Sequence, residues 1–182
     1  MVWQRRLTGA RARAGTAWRR GAAGGLGRQV VAGLVARAAL APQRLDGVSV
    51  GCAGQPIDAA NIGRVVALRA NLPRSIPAMT VQRNCGSGLE AITSAAERIR
   101  AGRAQVIVAA AVESMSNYPL LYSAAATRRF KGLFRARRRS TKLAALLAFR
   151  PRHFKPDIAL LTGLTDPGCG LHTGERRRAR RR

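Results

Sequence analysis

The feature that most constrains the fold is a regular alternation of helical and extended patterns between residues 27 and 112. Apolar residues that recur three and four positions apart predict helices at residues 27–40, 61–73 and 86–102. Short β-branched or continuously apolar runs predict strands at residues 48–55, 76–84 and 104–112. Alternation of this kind is typical of a mainly parallel sheet with right-handed crossovers and helices on both faces. The sequence therefore predicts an α/β fold.

Individual residues refine three of these elements. Asn61 precedes the second helix and is available as its N-cap, because asparagine side chains accept hydrogen bonds from first-turn amides. The run "AQVIVAAAV" at residues 104–112 is continuously apolar, which is typical of a strand covered on both faces. The third helix has one apolar face, formed by Leu89, Ile92, Ala96 and Ile99.

Residues 113–174 are less periodic and predict an inserted loop region with short helices. Arginines are frequent at residues 128–139, with aromatic and leucine residues between them. A short helix is predicted at residues 142–149, with Thr141 as its cap and Pro151 beyond its end.

The chain is strongly basic, with 33 Lys and Arg against 8 Asp and Glu, a net charge of +25. Six arginines lie in residues 1–20 and six in residues 175–182. Such a charge attracts polyanions, so nucleic-acid binding through the Arg-rich ends is an alternative function. An organellar transit peptide would also be Arg-rich, but no serine precedes Ser49, and a mis-read or non-native end is the preferred interpretation.

The cysteine pattern argues against disulfides and metal sites. Cys52, Cys85 and Cys169 are odd in number and widely spaced, and His153 and His172 are the two histidines. A reducing compartment, the cytoplasm, is therefore predicted. The chain of 182 residues suffices for one domain with a core, and no apolar run approaches the ~18 residues of a membrane span.

Cys85 stands in "VQRNCGSGLEAI", between a predicted strand and the start of a predicted helix. A helix N-terminus stabilises an anion and therefore favours the reactive thiolate. Gly86 and Gly88 leave room for a substrate carbonyl, and amides of this turn are candidate donors to an oxyanion. The alternative is a small buried cysteine at a glycine-rich turn. The residues alone leave both interpretations open.

The longer segment "NCGSGLEAITSAAERIRAGRAQVIVAAAVESMSNYP" resembles the active-site region of thiolases, the acetyl-CoA acyltransferases. In that family an N-C-A/G-S-G-L/M helix start is followed, at this distance, by a strand and an E-S-M-S loop. The stretch "FRPRHFKPDIALLTGLTDPGCGLHTG" resembles the covering loop of one thiolase subgroup. The resemblance spans about residues 25–174.

The resemblance implies that Cys85 attacks an acyl-CoA carbonyl and carries the acyl group as a thioester. A carbanion from a second acetyl-CoA then condenses with it, or the reverse reaction cleaves a β-ketoacyl-CoA. Coenzyme A thioesters are the substrates, no dissociable cofactor or metal is needed, and the family forms homo-oligomers. Gly86, Ser114 and Met115 become substrate-binding candidates, although packing is the alternative role for Met115. The arginines of residues 128–139 either contact CoA phosphates or form a solvated basic face.

The resemblance also implies an incomplete enzyme. The family fold has two βαβαβαββ halves, and this chain resembles the N-terminal half with its inserted loop region. Neither the G-H-P histidine segment nor the late C-x-G-x-G cysteine segment occurs, and a Cys169–His172 catalytic pair is not expected. We expect a truncated or frame-shifted product with uncovered apolar layers, poorly soluble alone or in need of a partner. The predicted divisions are a disordered basic segment, a thiolase-like core, a covering loop region and a disordered tail, at residues 1–24, 25–122, 123–174 and 175–182.

Overall fold

A computed structural model describes residues 12–13, 15–17, 19–165, 168 and 170. Residue contacts divide the chain into two compact units, Met1–Asn117 and Tyr118–Arg182. Cys169, His172 and the predicted tail at residues 175–182 lie outside the described residues. The boundaries drawn from the sequence at 24/25 and 122/123 remain predictions.

The first unit contains a three-stranded parallel sheet in the order β2-β1-β3. Its strands are β1 (Gly47–Gly51), β2 (Ala78–Val81) and β3 (Ile107–Ala111), and its helices are α1 (Ala23–Arg37), α2 (Ile62–Arg69) and α3 (Ser87–Arg100). The α/β alternation predicted from the sequence is confirmed. All five residues of β1 are buried, as expected for a central strand.

Helices cover both faces of this sheet. On one face, Val50 packs in the core with Ile62 and Val66 of α2 and with residues of α1. Because strand side chains alternate, Gly51 points to the opposite face, where it meets Ser87 and Gly88 of α3. The chain therefore winds in both directions from β1, and the carboxyl ends of the strands meet at one edge.

Asn61 caps α2, as predicted. Its Oδ1 accepts a hydrogen bond from the Arg64 amide at 3.1 Å and another from the Thr80 hydroxyl at 2.9 Å. Its Nδ2 donates to the Ala78 carbonyl at 3.1 Å. One side chain thus starts the helix and ties it to β2.

The larger apolar residues of α3 are not the ones that the helix buries. The predicted apolar face of α3 does not face the sheet: Leu89 is 68% and Ile92 46% exposed, whereas Ala91 and Ala95 are buried. The helix lies so close to β1 and β3 that only small side chains fit between them. β3 is the edge strand next to β1 and has helices on both faces, because Val108 packs in the core with residues of α1, and Ala111 lies against Gly88 of α3.

The second unit consists of short elements. They are β4 (Leu120–Leu121), α4 (Ala124–Arg135), α5 (Arg139–Leu147), β5 (Asp157–Ile158) and α6 (Ala159–Gly163), with β4 and β5 antiparallel. The aromatic rings of Tyr122, Phe130, Phe149 and Phe154 pack together, with centroid distances of 4.9–6.1 Å. In the part of the chain that the structure describes, no helix combines the length and apolar character needed to cross a membrane.

The predicted cap of the helix in this unit is wrong. α5 begins at Arg139, and Thr141 lies inside its first turn, where its hydroxyl donates to the Arg138 carbonyl at 2.8 Å. Arginine and serine tolerate helical backbone, so nothing in the sequence stops the helix from extending before Thr141. The bounds of α4 were not predicted from the sequence. Its N-cap is Ser123, whose Oγ accepts a hydrogen bond from the Ala126 amide at 3.2 Å.

Candidate active site

Cys85 lies between β2 and α3, at the carboxyl edge of the parallel sheet, and it is exposed. The preceding residue, Asn84, has a left-handed backbone with φ of 48°. Asparagine adopts this conformation at lower cost than most other residues with a side chain. The sharp turn presents Cys85 at the surface, and the alternative in which Cys85 is buried is wrong.

The turn around Cys85 is closed by backbone and side-chain hydrogen bonds. The Gly86 amide donates to the Arg83 carbonyl at 3.0 Å, and the Ser87 amide donates to the Asn84 carbonyl at 3.1 Å. The buried Ser87 hydroxyl accepts from the Arg83 amide at 2.8 Å and donates to the Asn84 carbonyl at 2.6 Å. The Ser87 hydroxyl therefore fixes the conformation of the turn through two hydrogen bonds.

An ion pair flanks the same turn on the solvent side. The Arg83 guanidinium lies 2.6 Å from Oε2 of Glu90, and Oε1 of Glu90 accepts from the Ser94 hydroxyl at 3.2 Å. The hydrogen bond from Arg83, followed by the one from Ser94, lowers the pKa of Glu90. Since the Arg83 side chain is 74% exposed, we assign this pair an orienting role more than a stabilising one.

Two glycines set how closely α3 approaches the sheet. A Cβ on Gly51 would collide with the backbone of Ser87 and Gly88, and a Cβ on Gly88 would lie 2.9 Å from the Cβ of Ala111. The first turn of α3 is thus pressed against the carboxyl ends of β1 and β3. This contact fixes the position of Cys85 above the sheet edge.

A sequence profile described as "Thiolase, N-terminal domain" matches residues 7–148. The chain belongs to the thiolase family. It is 52% identical over 77 residues to a beta-ketoadipyl-CoA thiolase of Acinetobacter baylyi and 42% identical over 91 residues to an acetyl-CoA acetyltransferase of Allochromatium vinosum. The fold matches the crystal structure of the Bacillus anthracis acetyl-CoA acetyltransferase with a TM-score of 0.71 and 30% identity.

The matched part is a fraction of these thiolases. It covers 42% of this chain and 19% of the Acinetobacter thiolase, and 50% of this chain and 23% of the Allochromatium enzyme. In the structural comparison it covers 89% of this chain and 36% of the Bacillus chain. The chain therefore spans well under half the length of these relatives and corresponds to the N-terminal domain of a thiolase-family acyltransferase.

The other residues predicted for the thiolase site lie near Cys85 in the chain or in the loop after β3. The Gly86 amide, a candidate oxyanion donor, is occupied by the Arg83 carbonyl. The Ser114 hydroxyl donates to the Gly21 carbonyl at 2.7 Å, so it faces the segment before α1. Met115 is 54% exposed. The substrate-binding roles of these residues remain predictions.

Sequence reasoning assigned no role to Glu113, the first residue after Val112. Its carboxylate accepts hydrogen bonds from the Ala53 amide at 2.9 Å and from the Gly54 amide at 3.2 Å. Glu113 is the single acidic residue between Glu97 and Asp157 in a strongly basic chain, and that isolation was the available signal.

The two described cysteines have opposite environments. Cys52, predicted to lie in the core, is 1% exposed, and burial, followed by the charge of Glu113, raises its pKa to about 11. Its thiol is therefore protonated and shielded at neutral pH. Cys85 is the accessible thiol of this pair.

His153 has a structural role within the second unit. It is buried, its Nδ1 accepts a hydrogen bond from the Arg150 amide at 3.0 Å, and burial together with nearby arginines lowers its pKa. Among the residues that the structure describes, no group of three or more His, Cys, Asp and Glu side chains is arranged to hold a metal ion.

Proposed function

We propose that this chain is the nucleophile-bearing half of a thiolase-type acyl-CoA acyltransferase, with Cys85 as the residue that forms the acyl thioester. The observation that carries the proposal is an exposed cysteine on a tight turn, at the junction of a strand and a helix and at the carboxyl edge of a parallel sheet. Ligand sites in open α/β folds lie at this edge.

The first chemical step follows from the thiol. The Cys85 thiolate adds to the carbonyl carbon of an acyl-CoA, a carbon–sulfur bond forms, and the carbonyl oxygen becomes an oxyanion. The oxyanion then collapses, the bond to the CoA sulfur breaks, and the CoA thiolate leaves and takes up a proton. The acyl group remains on Cys85 for condensation with a second acyl-CoA carbanion, or the reverse sequence cleaves a β-ketoacyl-CoA.

We also propose that the unit that carries Cys85 lacks the histidine that would act as its general base. Both histidines of the chain lie after residue 150, so the unit Met1–Asn117 that carries Cys85 holds none. Proton transfer by a positioned side chain contributes roughly 10²–10⁴-fold to a rate. We therefore expect slow acylation of Cys85 by this chain alone and no complete turnover.

The exposed face of α3 supports the proposal that this chain is one part of a larger enzyme. Leu89 and Ile92 lie three residues apart in α3, so they share one stripe of the helix, and both are exposed. Large apolar side chains in one exposed stripe favour a covering surface in the working enzyme. Homo-oligomer formation and a cytoplasmic location are part of the proposal, and the arginines of residues 128–139 are candidates for contact with CoA phosphates.

Acetyl transfer tests the proposal directly. The wild-type chain is incubated with acetyl-CoA, and intact and peptide mass spectrometry locate the acetyl group. We expect one acetyl group on the Cys85 peptide, unchanged in Cys52→Ser and lost in Cys85→Ser. No acetylation of Cys85 at saturating acetyl-CoA, or equal acetylation of Cys85→Ser, contradicts the proposal.

A second measurement addresses nucleic-acid binding, the alternative that the charge suggests. Affinity for duplex DNA is measured against salt concentration, with and without residues 1–20 and 175–182. Counterion release predicts a steep loss of affinity with salt for any strongly cationic chain. Salt-sensitive binding that is lost when both ends are removed would support the alternative, and unchanged binding after their removal would contradict it.

A further inference from the structure

The carboxylate of Glu113 joins two loops at the carboxyl edge of the sheet. Glu113 follows β3, and the amides that it accepts belong to Ala53 and Gly54, which follow β1. The Cys52 thiol, in the same loop, lies 3.9 Å from Oε1 of Glu113. The half-buried carboxylate therefore holds the loop after β1 at a fixed place beside β3.

A second hydrogen bond connects that loop to the segment that carries Cys85. Nε2 of Gln82 donates to the Ala53 carbonyl at 2.8 Å, and the Cys52 amide donates to the Val81 carbonyl at 3.1 Å. Gln82 follows β2 directly and lies three residues before Cys85. Ala53 is thus bonded on its amide side to Glu113 and on its carbonyl side to Gln82.

We propose that Glu113 is a positioning residue for Cys85, acting through Ala53 and Gln82 on the turn that presents the thiol. The inference rests on the proposed function only in taking Cys85 as the nucleophile. In this proposal Glu113 acts on Cys85 through these two residues and not by direct contact. Its contribution is to fix the loop against which the Cys85 segment is bonded, so that the thiol stays at the start of α3.

The structure supplies a matched control in Asp46. This residue precedes β1, and its Oδ2 accepts the amides of Gln105 at 2.6 Å and Val106 at 2.9 Å, just before β3. Asp46 therefore makes the same kind of contact between the same two strands, a carboxylate accepting two successive amides, but at the opposite edge of the sheet. A purely structural role for Glu113 predicts that both carboxylates have similar effects on Cys85.

The test measures the alkylation of Cys85 by iodoacetamide in the full chain. Peptide mass spectrometry follows Cys85 and Cys52 separately over a pH series in wild type, Glu113→Gln, Glu113→Asp, Gln82→Ala and Asp46→Asn. The thermal midpoint of each variant is measured in parallel. Because the reagent is not an acyl-CoA, the result does not depend on whether acetyl transfer occurs.

We expect Glu113→Gln and Gln82→Ala to slow Cys85 alkylation by about threefold or more, since small displacements of a reacting group have large effects on rate. Glu113→Asp should recover part of the rate. Glu113→Gln should also raise the alkylation of Cys52, which reports opening of the loop.

Asp46→Asn should leave the rate of Cys85 alkylation unchanged at a comparable loss of thermal stability. Equal effects of Asp46→Asn and Glu113→Gln, or an unchanged Cys85 in Gln82→Ala, overturn the proposal. Gln82 is exposed, so its variant keeps the test decisive if Glu113→Gln does not fold. Absence of acetyl transfer in the wild type would overturn the proposed function and leave this inference standing.

Discussion

Gly51, the last residue of β1, lies directly against the backbone of Ser87, the first residue of α3. The contact joins a strand end to a helix start without any intervening side chain. The contact therefore restricts the position of the turn that carries Cys85.

Replacing Gly51 with alanine should destabilise the first unit by roughly 1–3 kcal/mol, the usual cost of forcing an extra carbon into a packed site. The added Cβ would meet backbone atoms that no rotamer change can move. Chemical denaturation measures the effect. Gly25→Ala in α1 is the control, because a Cβ there meets nothing within 4 Å, and alanine favours a helix by about 0.5–1 kcal/mol. A stabilising Gly51→Ala would contradict the described contact.

The left-handed backbone of Asn84 predicts a site-specific effect. Asn84→Val should destabilise the chain by about 1–2 kcal/mol and slow alkylation of Cys85, because a β-branched residue disfavours this conformation. Asn71, at the end of α2, is left-handed too, with φ of 58°. Asn71→Val should cost similar stability but leave Cys85 alkylation unchanged. If the two variants alter Cys85 equally, the turn has no special influence on the thiol.

Ser49 in the middle of β1 predicts a stabilising substitution. Its side chain is 2% exposed, and within the described residues its Oγ has no hydrogen-bond partner. Ser49→Ala should raise stability by about 1 kcal/mol, since a buried unpaired hydroxyl is unfavourable. Thr80→Val should instead lower stability, because the Thr80 hydroxyl accepts a hydrogen bond from the Gly63 amide and donates one to Asn61. A loss of stability in Ser49→Ala would reveal a partner for that hydroxyl.

The buried His153 predicts pH-dependent stability in the second unit. Its folded pKa is lowered, by burial first and then by Arg152, Arg129 and Arg150. The unfolded chain therefore binds a proton more readily, and stability is lost as the pH falls below about 6.5. Hydrogen exchange at residues 150–154, compared between pH 7.5 and pH 5.5, measures the effect. His153→Phe should remove the pH dependence. Faster exchange at pH 7.5 than at pH 5.5, after correction for intrinsic rates, would contradict the sign.

Local signals in the sequence predicted the order of elements and some of their ends. Asn61 is an example, because an N-cap depends on residues within one turn. The orientation of α3 was not predictable in this way. Its larger apolar residues predict one buried face, but the close approach at Gly51 and Gly88 selects the alanine face instead.

In the candidate site, too, some residues were predictable from their sequence neighbours and others depended on tertiary contacts. Cys85 could be named as a candidate from its neighbours, because the helix start and the glycines are adjacent in sequence, but the residues alone left a buried cysteine equally open and the resemblance to thiolases favoured the nucleophile. Glu113 could not, since the amides of Ala53 and Gly54 lie about 60 residues earlier and only the pairing of β1 with β3 brings them together. An acid that follows a strand does not by itself reveal which backbone it will meet.

The carboxylate of Asp46, at the start of the β1–β3 pair, has a consequence for how the chain responds to acid. The chain has 8 acidic residues, and two of them bond backbone amides across this one strand pair. Backbone hydrogen bonds lower the pKa of Asp46, so the stability that it contributes is lost as the pH falls through that lowered value. Acidification would then release strand ends while the excess positive charge grows. A strongly basic protein thus relies on a few negatively charged side chains to hold the ends of β1 and β3 together.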